Sequence, residues 1–252
     1  MPPHPLFQLT GVSRATVALD TLHLIDLGVS QLVVGGALKF LYSASSSPTQ
    51  LLTELWAHVQ AGFRQLGTAL RLDRLVPSLF IKEPPSKEFA CWRGTGAVTR
   101  RFSEALLFAI GRMPLEMTPF LARVISCLAA LVALYKEIEP WRSQQVLSQQ
   151  TASHMQAHIR DLQGHLSWLR LHQKPLGLFF NYTPKVHYLT HLGEAAKWLN
   201  PHWHHCYAEE DLIGRFIRVA RQSAHGHTQK QVPSAVMSKY RVNLTLQWGG
   251  YM

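Results

Sequence analysis

The chain has 252 residues, of which 47% are hydrophobic and 16% are charged. This balance excludes global disorder, because enough apolar surface is available to offset the loss of chain entropy on folding. The formal net charge of +10 favours polyanionic partners, nucleic acid first and an anionic membrane surface second.

The predicted elements form one mainly α, helix-rich domain over residues 1–252. A β-prone run at 15–20 ends at Asp20, and an alternating segment at 241–248 is predicted to be a strand. Between them, apolar residues recur with the spacing of one helix face, as in the apolar stripe of Met155, Ile159, Leu162, Leu166 and Leu169. Helices are predicted over 21–42, 48–70, 99–112, 118–139, 140–172, 185–199 and 209–222.

Two apolar stretches approach the length of a membrane span. The first, residues 22–41, contains the polar side chains of His23, Asp26 and Lys39. The second, residues 119–135, is shorter than the roughly 20 residues that a span requires. We therefore interpret both as buried helices and expect no association with a membrane.

The cysteines and the first residues of the chain bear on its compartment. Cys91, Cys127 and Cys206 are an odd number, lie far apart and form no C-x-x-C motif, which favours a reducing compartment over a disulfide framework. Residues 1–20 show no basic segment followed by a long apolar run, so no signal peptide is predicted. We expect an intracellular protein that is not secreted.

An aspartate stands where the first β-prone run gives way to a helix. Asp20 suits an N-cap, because its carboxylate can accept from amides two or three residues ahead. It also suits a metal ligand, since a strand end is a rigid position for a carboxylate. Asp26, inside the apolar helix, needs a buried partner, either Lys39 or an arginine elsewhere in the chain.

The last predicted helix begins with three acids and continues with three arginines. Acids in the first turn and bases later suit the helix dipole. An apolar face is predicted to be buried, and Glu209 and Glu210 border its two edges, so periodicity does not choose between them. The arginines form a stripe suited to phosphates or to the acids of a neighbouring helix. The face comprises Leu212, Ile213, Phe216, Val219 and Ala220, and the stripe comprises Arg215, Arg218 and Arg221.

Histidine is concentrated in the C-terminal half, where 11 of the 14 histidines fall between His154 and His227. The pair His154/His158 has the spacing of zinc ligands on a helix but lacks the glutamate of an H-E-x-x-H motif. The densest set of ligand types is the segment from His202 to Cys206. Since consecutive residues rarely converge on one ion, a solvated or partly buried histidine face is the main interpretation, with a structural zinc site as the alternative.

Two segments together resemble a known family. The segment D20-T-L-H23-L-I-D26-L-G28-V29 resembles the D-x-(L/M)-H-(x)3-L-G-V signature around the second catalytic aspartate of eukaryotic cut-and-paste transposases of the CACTA and Kyakuja-Dileera-Zisupton kind. About 165 residues later, K185-V-H187-Y-L189-T-H191-L192 resembles their K-x-H-x-L-x-H-L-like segment, and the acids at 209–211 follow in the expected order.

The resemblance implies an RNase H-like catalytic domain with a long helical insertion. Residues 15–20 would be a strand remnant, 21–172 the insertion, 174–222 the C-terminal motif region and 223–252 a tail. The implied chemistry is two-metal phosphoryl transfer with Mg²⁺ or Mn²⁺. Asp20 would be a catalytic metal ligand and Glu210, or Glu209, the third acid. DNA would be the partner and the nucleus the compartment.

Contacts to DNA phosphates are assigned to Arg215, Arg218, Arg221 and Lys185; for the arginines the assignment rests on charge. Shared metals require the carboxylates of Asp20 and Glu209 or Glu210 to lie within roughly 10 Å of each other.

One departure from the family pattern is serious. The family's first catalytic aspartate should precede the second on an opening strand, yet none of the 19 residues before Asp20 is acidic. We therefore expect this chain to correspond to the C-terminal part of such an enzyme and to be inactive alone. The alternative is a non-enzymatic basic helical protein that binds nucleic acid or a protein partner. The sequence does not indicate an oligomeric state.

Overall fold

The structure is a computed structural model that describes residues 10, 19–69, 72–81, 89–141, 144–174, 176–224, 228 and 230–238, without the side chains of residues 208, 209, 211 and 216. The chain divides into two compact units, Met1–His205 and Cys206–Met252, which are described separately below. The sequence carries no composition change that marks this boundary.

The first unit is built from helices. Among its described residues, a π-helix over Leu22–Val29 continues directly into α1, and short 3₁₀ helices lie at Pro77–Leu79, Glu139–Trp141 and Pro201–Trp203. The α-helices are α1 (Ser30–Ala44), α2 (Pro48–Gln65), α3 (Gly96–Ile110), α4 (Pro119–Ile138), α5 (Gln149–His172) and α6 (Pro184–Ala195).

The second unit contains α7 (Tyr207–Ala224) and a further helical segment over 232–238. The described residues of the two units contain no β-strand. The prediction of a mainly helical chain is therefore confirmed. Leu19 and Asp20, at the end of the predicted first strand, have no regular secondary structure. The rest of that strand, 15–18, and the predicted strand at 241–248 lie outside the described residues.

Helices α4 and α5 pack along an apolar stripe that the sequence predicted. Every stripe residue on α5 is buried, and α4 presents a matching row of buried side chains. Burying one such large apolar side chain contributes about 1.5–3 kcal/mol, so this pair is a main element of the core. The residues of the α5 stripe are Met155, Ile159, Leu162, Leu166 and Leu169.

Helix α5 begins later than the sequence predicted, at Gln149 rather than Pro140. Ser148 caps it, because its Oγ accepts a hydrogen bond of 3.0 Å from the amide of Thr151. The carbonyl of Gln144 accepts from the side-chain amide of Asn200 at 2.9 Å, and the carbonyl of Gln145 accepts from the backbone amide of Asn200 at 2.8 Å. These two carbonyls therefore bond to a distant residue instead of to amides within a helix.

Two helical segments, Leu22–Ala44 and Pro119–Ile138, are long and apolar enough to cross a membrane by length and composition. Their most apolar windows are 78% and 56% buried within the chain itself. The core helices of soluble proteins share these properties, so the two segments are not evidence of a membrane span. That the chain does not associate with a membrane stays a prediction.

Candidate functional site

Asp20 caps the start of the π-helix. One carboxylate oxygen accepts from the amide of Leu22 at 3.0 Å, and the other accepts from the amide of His23 at 3.2 Å. The second oxygen also contacts Nδ1 of the His23 ring. The N-cap interpretation of Asp20 is confirmed.

The neighbouring Thr21 forms hydrogen bonds with the turn at residues 201–204, at the end of the first unit. Its amide donates to the carbonyl of His204 at 2.7 Å, and its hydroxyl donates to the same carbonyl at 3.1 Å and to that of Pro201 at 3.3 Å. The last residues of the first unit are thereby fixed beside the start of the π-helix. Burial lowers the pKa of the His204 ring in this turn.

Asp26 is fully buried and paired with an arginine. Arg100 donates to its two carboxylate oxygens, from Nη2 at 3.0 Å and from Nε at 3.4 Å. Of the two partners that the sequence left open, the arginine is therefore the observed one. Lys39 instead donates to the carbonyl of Leu178 at 3.0 Å, and partial burial lowers the pKa of its ammonium group.

Tyr135 of α4 completes the environment of Asp26. Its hydroxyl donates to the Asp26 carboxylate at 2.5 Å and lies 2.7 Å from the hydroxyl of Ser30. Burial, followed by the negative charge of Asp26, raises the pKa of Tyr135 well above its usual 10.0. Tyr135 is thus a neutral hydrogen-bond donor to a charged acceptor, which is the stronger kind of hydrogen bond.

A cleft of about 300 Å³ opens beside this group. Its basic side chains are paired with acids: Arg101 lies 2.8 Å from Glu139, and Lys136 lies 3.0 Å from Glu104. Arg100 lies 3.7 Å from Glu139 as well as contacting Asp26. Because both signs alternate along the walls, the cleft is an ion-pair network rather than a binding site for one strongly charged ligand.

The two segments that carry the family resemblance pack against each other. Nζ of Lys185, at the start of α6, lies 3.4 Å from the carbonyl oxygen of Leu27. The Lys185 side chain also crosses Gly28, where an added Cβ would lie 2.8 Å from its Cδ and 2.7 Å from the carbonyl oxygen of His23. Further along α6, His187 and His191 are exposed, with ring centroids 5.1 Å apart.

The second unit carries the remaining predicted site residues. Arg215, Arg218 and Arg221 are exposed on α7, as is Glu210, whose amide donates to the carbonyl of Cys206 at 2.8 Å. The side chain of Glu209 lies outside the described residues. Asp20 belongs to the first unit and Glu210 to the second, so their convergence stays a prediction.

Two of the five apolar residues that were predicted to be buried on α7, Leu212 and Ile213, are exposed. Leu212 is 49% exposed and Ile213 is 51% exposed, and the nearby Ile217 is 46% exposed. Periodicity identifies which side chains share a face, but it does not determine whether the same chain supplies a surface to cover that face. These three residues are called the α7 apolar face from here on.

The sequence alone did not predict that Asp26, Arg100 and Tyr135 form one network. Arg100 is 74 residues and Tyr135 is 109 residues from Asp26 along the chain, so no local motif joins them. The available signal was a carboxylate inside an apolar helix, which required a partner without identifying it.

Comparison with known protein families, with curated proteins and with solved structures finds no match to this chain. The family resemblance therefore rests on the residues quoted for it.

Proposed function

We propose that this chain derives from the C-terminal part of an RNase H-like cut-and-paste transposase and that it binds DNA without cleaving it. The supporting observation is the contact between Lys185 and the backbone and glycine of the 27–28 segment. The two resemblance motifs are separated by about 155 residues of mainly helical chain, yet they meet in the first unit.

The contact supports common ancestry in a specific way. The glycine of the L-G-V part of the first motif permits the approach of the lysine of the second motif, since a side chain at Gly28 would collide with it. The two motif segments therefore contact each other in the folded chain. A fold in which both segments are needed for this contact is the simplest reason for both motifs to occur in one chain.

Strand cleavage by this chain is disfavoured by its carboxylates. Both oxygens of Asp20 accept hydrogen bonds in the helix cap, and Asp26 is buried and paired with Arg100. A two-metal centre for Mg²⁺ or Mn²⁺ needs several carboxylate oxygens directed at the same ions, and the Asp26 carboxylate, buried and bound by Arg100, does not fit such a role. We accordingly assign no catalytic step to Asp20, Glu209 or Glu210 in this chain.

DNA binding is supported by charge and exposure. The chain carries a formal net charge of +10, and the α7 arginines at 215, 218 and 221 are exposed. Their spacing repeats about once per helical turn, which suits contacts with successive phosphates along a backbone.

A protein-binding role is the second candidate, and the α7 apolar face favours it. Three large aliphatic side chains that are each about half exposed on one helix are typical of a surface that binds an apolar partner. Under this alternative the arginines beside them would contribute charge complementarity rather than phosphate contacts.

The cleavage part of the proposal is tested with supercoiled plasmid. The purified 252-residue chain is incubated with plasmid in Mg²⁺ and, separately, in Mn²⁺, with Asp20→Ala as the matched variant. We expect no nicking above a protein-free control. Metal-dependent nicking that disappears in Asp20→Ala would contradict the proposal of an inactive chain.

The binding part is tested by measuring affinity for duplex DNA against salt concentration by fluorescence anisotropy. Each phosphate contact contributes about −0.9 to the slope of log K against log salt. We expect a clearly negative slope, with a magnitude that corresponds to several phosphate contacts. An affinity that does not change between low and moderate salt would contradict the proposal of DNA binding. The protein-binding role would then be the remaining candidate.

A further inference from the structure

Helix α4 places a glutamate against a histidine pair of α5. One carboxylate oxygen of Glu137 lies 3.5 Å from Nδ1 of His154 and 3.8 Å from Nε2 of His158. The two histidines are four residues apart and so project from one side of α5 on successive turns. Three side chains of metal-ligating type therefore meet at the boundary between two well-packed helices.

The sequence could not show this arrangement. The His154/His158 pair has the i, i+4 spacing of zinc ligands, but no glutamate follows His154 as it does in H-E-x-x-H. The missing carboxylate comes from a different helix, 17 residues earlier in the chain.

We propose that Glu137, His154 and His158 form a binding site for Zn²⁺. Two imidazole nitrogens and one carboxylate oxygen are a known ligand set for zinc, and the fourth position would be open to water or an exogenous ligand. Zinc bonds of about 2.0 Å in a tetrahedron separate the ligand atoms by about 3.3 Å. The glutamate–histidine distances of 3.5 and 3.8 Å are close to that separation, and the two imidazole rings must rotate to bring their nitrogens equally close to each other.

The site combines a fixed backbone with adjustable side chains. Met155 and Ile159, next to the two histidines on α5, are buried, as is Ile138 next to Glu137 on α4. The helices are thereby held in register. The ligand side chains keep access to solvent, with exposed fractions of 53% for His154, 30% for His158 and 25% for Glu137. A cation in solvent can therefore reach all three side chains, and rotation of the two rings is the movement that coordination requires.

The ligand types select the metal. Imidazole suits zinc and its first-row neighbours, whereas Mg²⁺ prefers an octahedron of oxygen ligands. The site is thus chemically different from a Mg²⁺ or Mn²⁺ centre at Asp20. It depends neither on the transposase ancestry nor on DNA binding, so it can fail or succeed separately from them.

The test uses the full chain stripped of metal and titrated with Co²⁺ and then Zn²⁺. Visible absorption of bound Co²⁺ reports tetrahedral coordination, and competition with a chelator of micromolar affinity reports zinc binding. We expect one equivalent of Zn²⁺ to bind tightly, and we expect its affinity to fall at least tenfold in Glu137→Gln and in His158→Asn. The matched control is His187→Asn/His191→Asn, which removes an i, i+4 histidine pair of α6 and should leave the tight equivalent intact.

Far-ultraviolet circular dichroism of each variant checks that the helices are retained, and His154→Asn gives a third variant of the same set if another one misfolds. Absence of a tight equivalent in the unmodified chain would overturn the proposal. So would a tight equivalent that persists in Glu137→Gln and His158→Asn. Its selective loss in Cys206→Ser would also overturn it, by assigning the zinc to the segment of residues 202–206.

Discussion

The guanidinium group of Arg100 lies 3.0 Å from the carboxylate of Asp26, which has no exposed surface. The pair joins α3 to the π-helix across 74 residues of sequence. A buried carboxylate is costly unless it is neutralised and hydrogen-bonded, so this contact fixes the position of the π-helix within the first unit.

Replacing Arg100 with methionine should destabilise the chain strongly. The substitution keeps the apolar length of the side chain but leaves Asp26 buried without its cation, and loss of one partner of a buried pair costs about 3–5 kcal/mol. Urea unfolding followed by circular dichroism measures the change in the free energy of unfolding.

The control for this variant is Arg101→Met. Arg101 is 37% exposed and pairs with Glu139 at the rim of the cleft, where an ion pair contributes about 0–1 kcal/mol. Equal losses in the two variants would show that Asp26 does not depend on Arg100. The double variant Asp26→Leu/Arg100→Met should recover part of the loss, because the buried carboxylate is removed together with its guanidinium partner.

Tyr135→Phe should cost about 1–3 kcal/mol in the free energy of unfolding. The variant keeps the ring but removes the hydroxyl that lies between Asp26 and Ser30, so two buried polar groups lose a hydrogen-bond partner. Tyr188→Phe, at a tyrosine that is 45% exposed on α6, should change the stability by less than about 0.5 kcal/mol. A similar small change in both variants would argue against the network.

Gly28→Ala tests the close packing around Gly28 in the first motif segment. The new methyl group would lie 2.7 Å from the carbonyl oxygen of His23, which is backbone and cannot move aside easily. We expect a loss of about 1–3 kcal/mol from overpacking. Gly164→Ala on α5 meets no atom within 4 Å and should instead stabilise by about 0.5–1 kcal/mol. A gain in both variants would show that the close approach at Gly28 is absent.

The helices and their buried faces were predictable because they depend on local spacing. The stripe from Met155 to Leu169 repeats with the helical period, and it is buried as that period predicts. Caps were partly predictable for the same reason, since Asp20 needs only the two amides that follow it. The start of α5 was not, because it depends on contacts that Gln144 and Gln145 make with Asn200.

The candidate sites depend on partners that are distant in sequence, and these were less predictable. Asp26 required some buried cation, but only the fold identifies Arg100 rather than Lys39. The carboxylate beside His154 and His158 belongs to another helix, and no motif search within α5 finds it. The predicted burial of Leu212 and Ile213 on α7 was wrong, since burial requires a covering surface that helical periodicity does not supply.

Asp20 variants separate the capping role from a metal-binding role. Asp20→Ala removes the acceptor for the amides of Leu22 and His23 and should cost about 1 kcal/mol. Asp20→Asn keeps an acceptor without the charge and should retain most of the stability, because asparagine is an equally good cap. The measurement is thermal unfolding with and without Mg²⁺. A rise in melting temperature with Mg²⁺ that Asp20→Asn abolishes would instead indicate that the carboxylate binds the cation.

Arg218→Gln and Arg221→Gln test whether the stripe on α7 contacts DNA phosphates. Each arginine that loses its phosphate contact should reduce the magnitude of the log K against log salt slope by about 0.9 on duplex DNA. Arg64→Gln, which removes one exposed charge from α2, is the matched control and should leave the slope unchanged. If all three variants reduce the slope equally, net charge rather than the stripe determines the affinity. If none does, binding to the α7 apolar face by a protein partner becomes the better account of this helix.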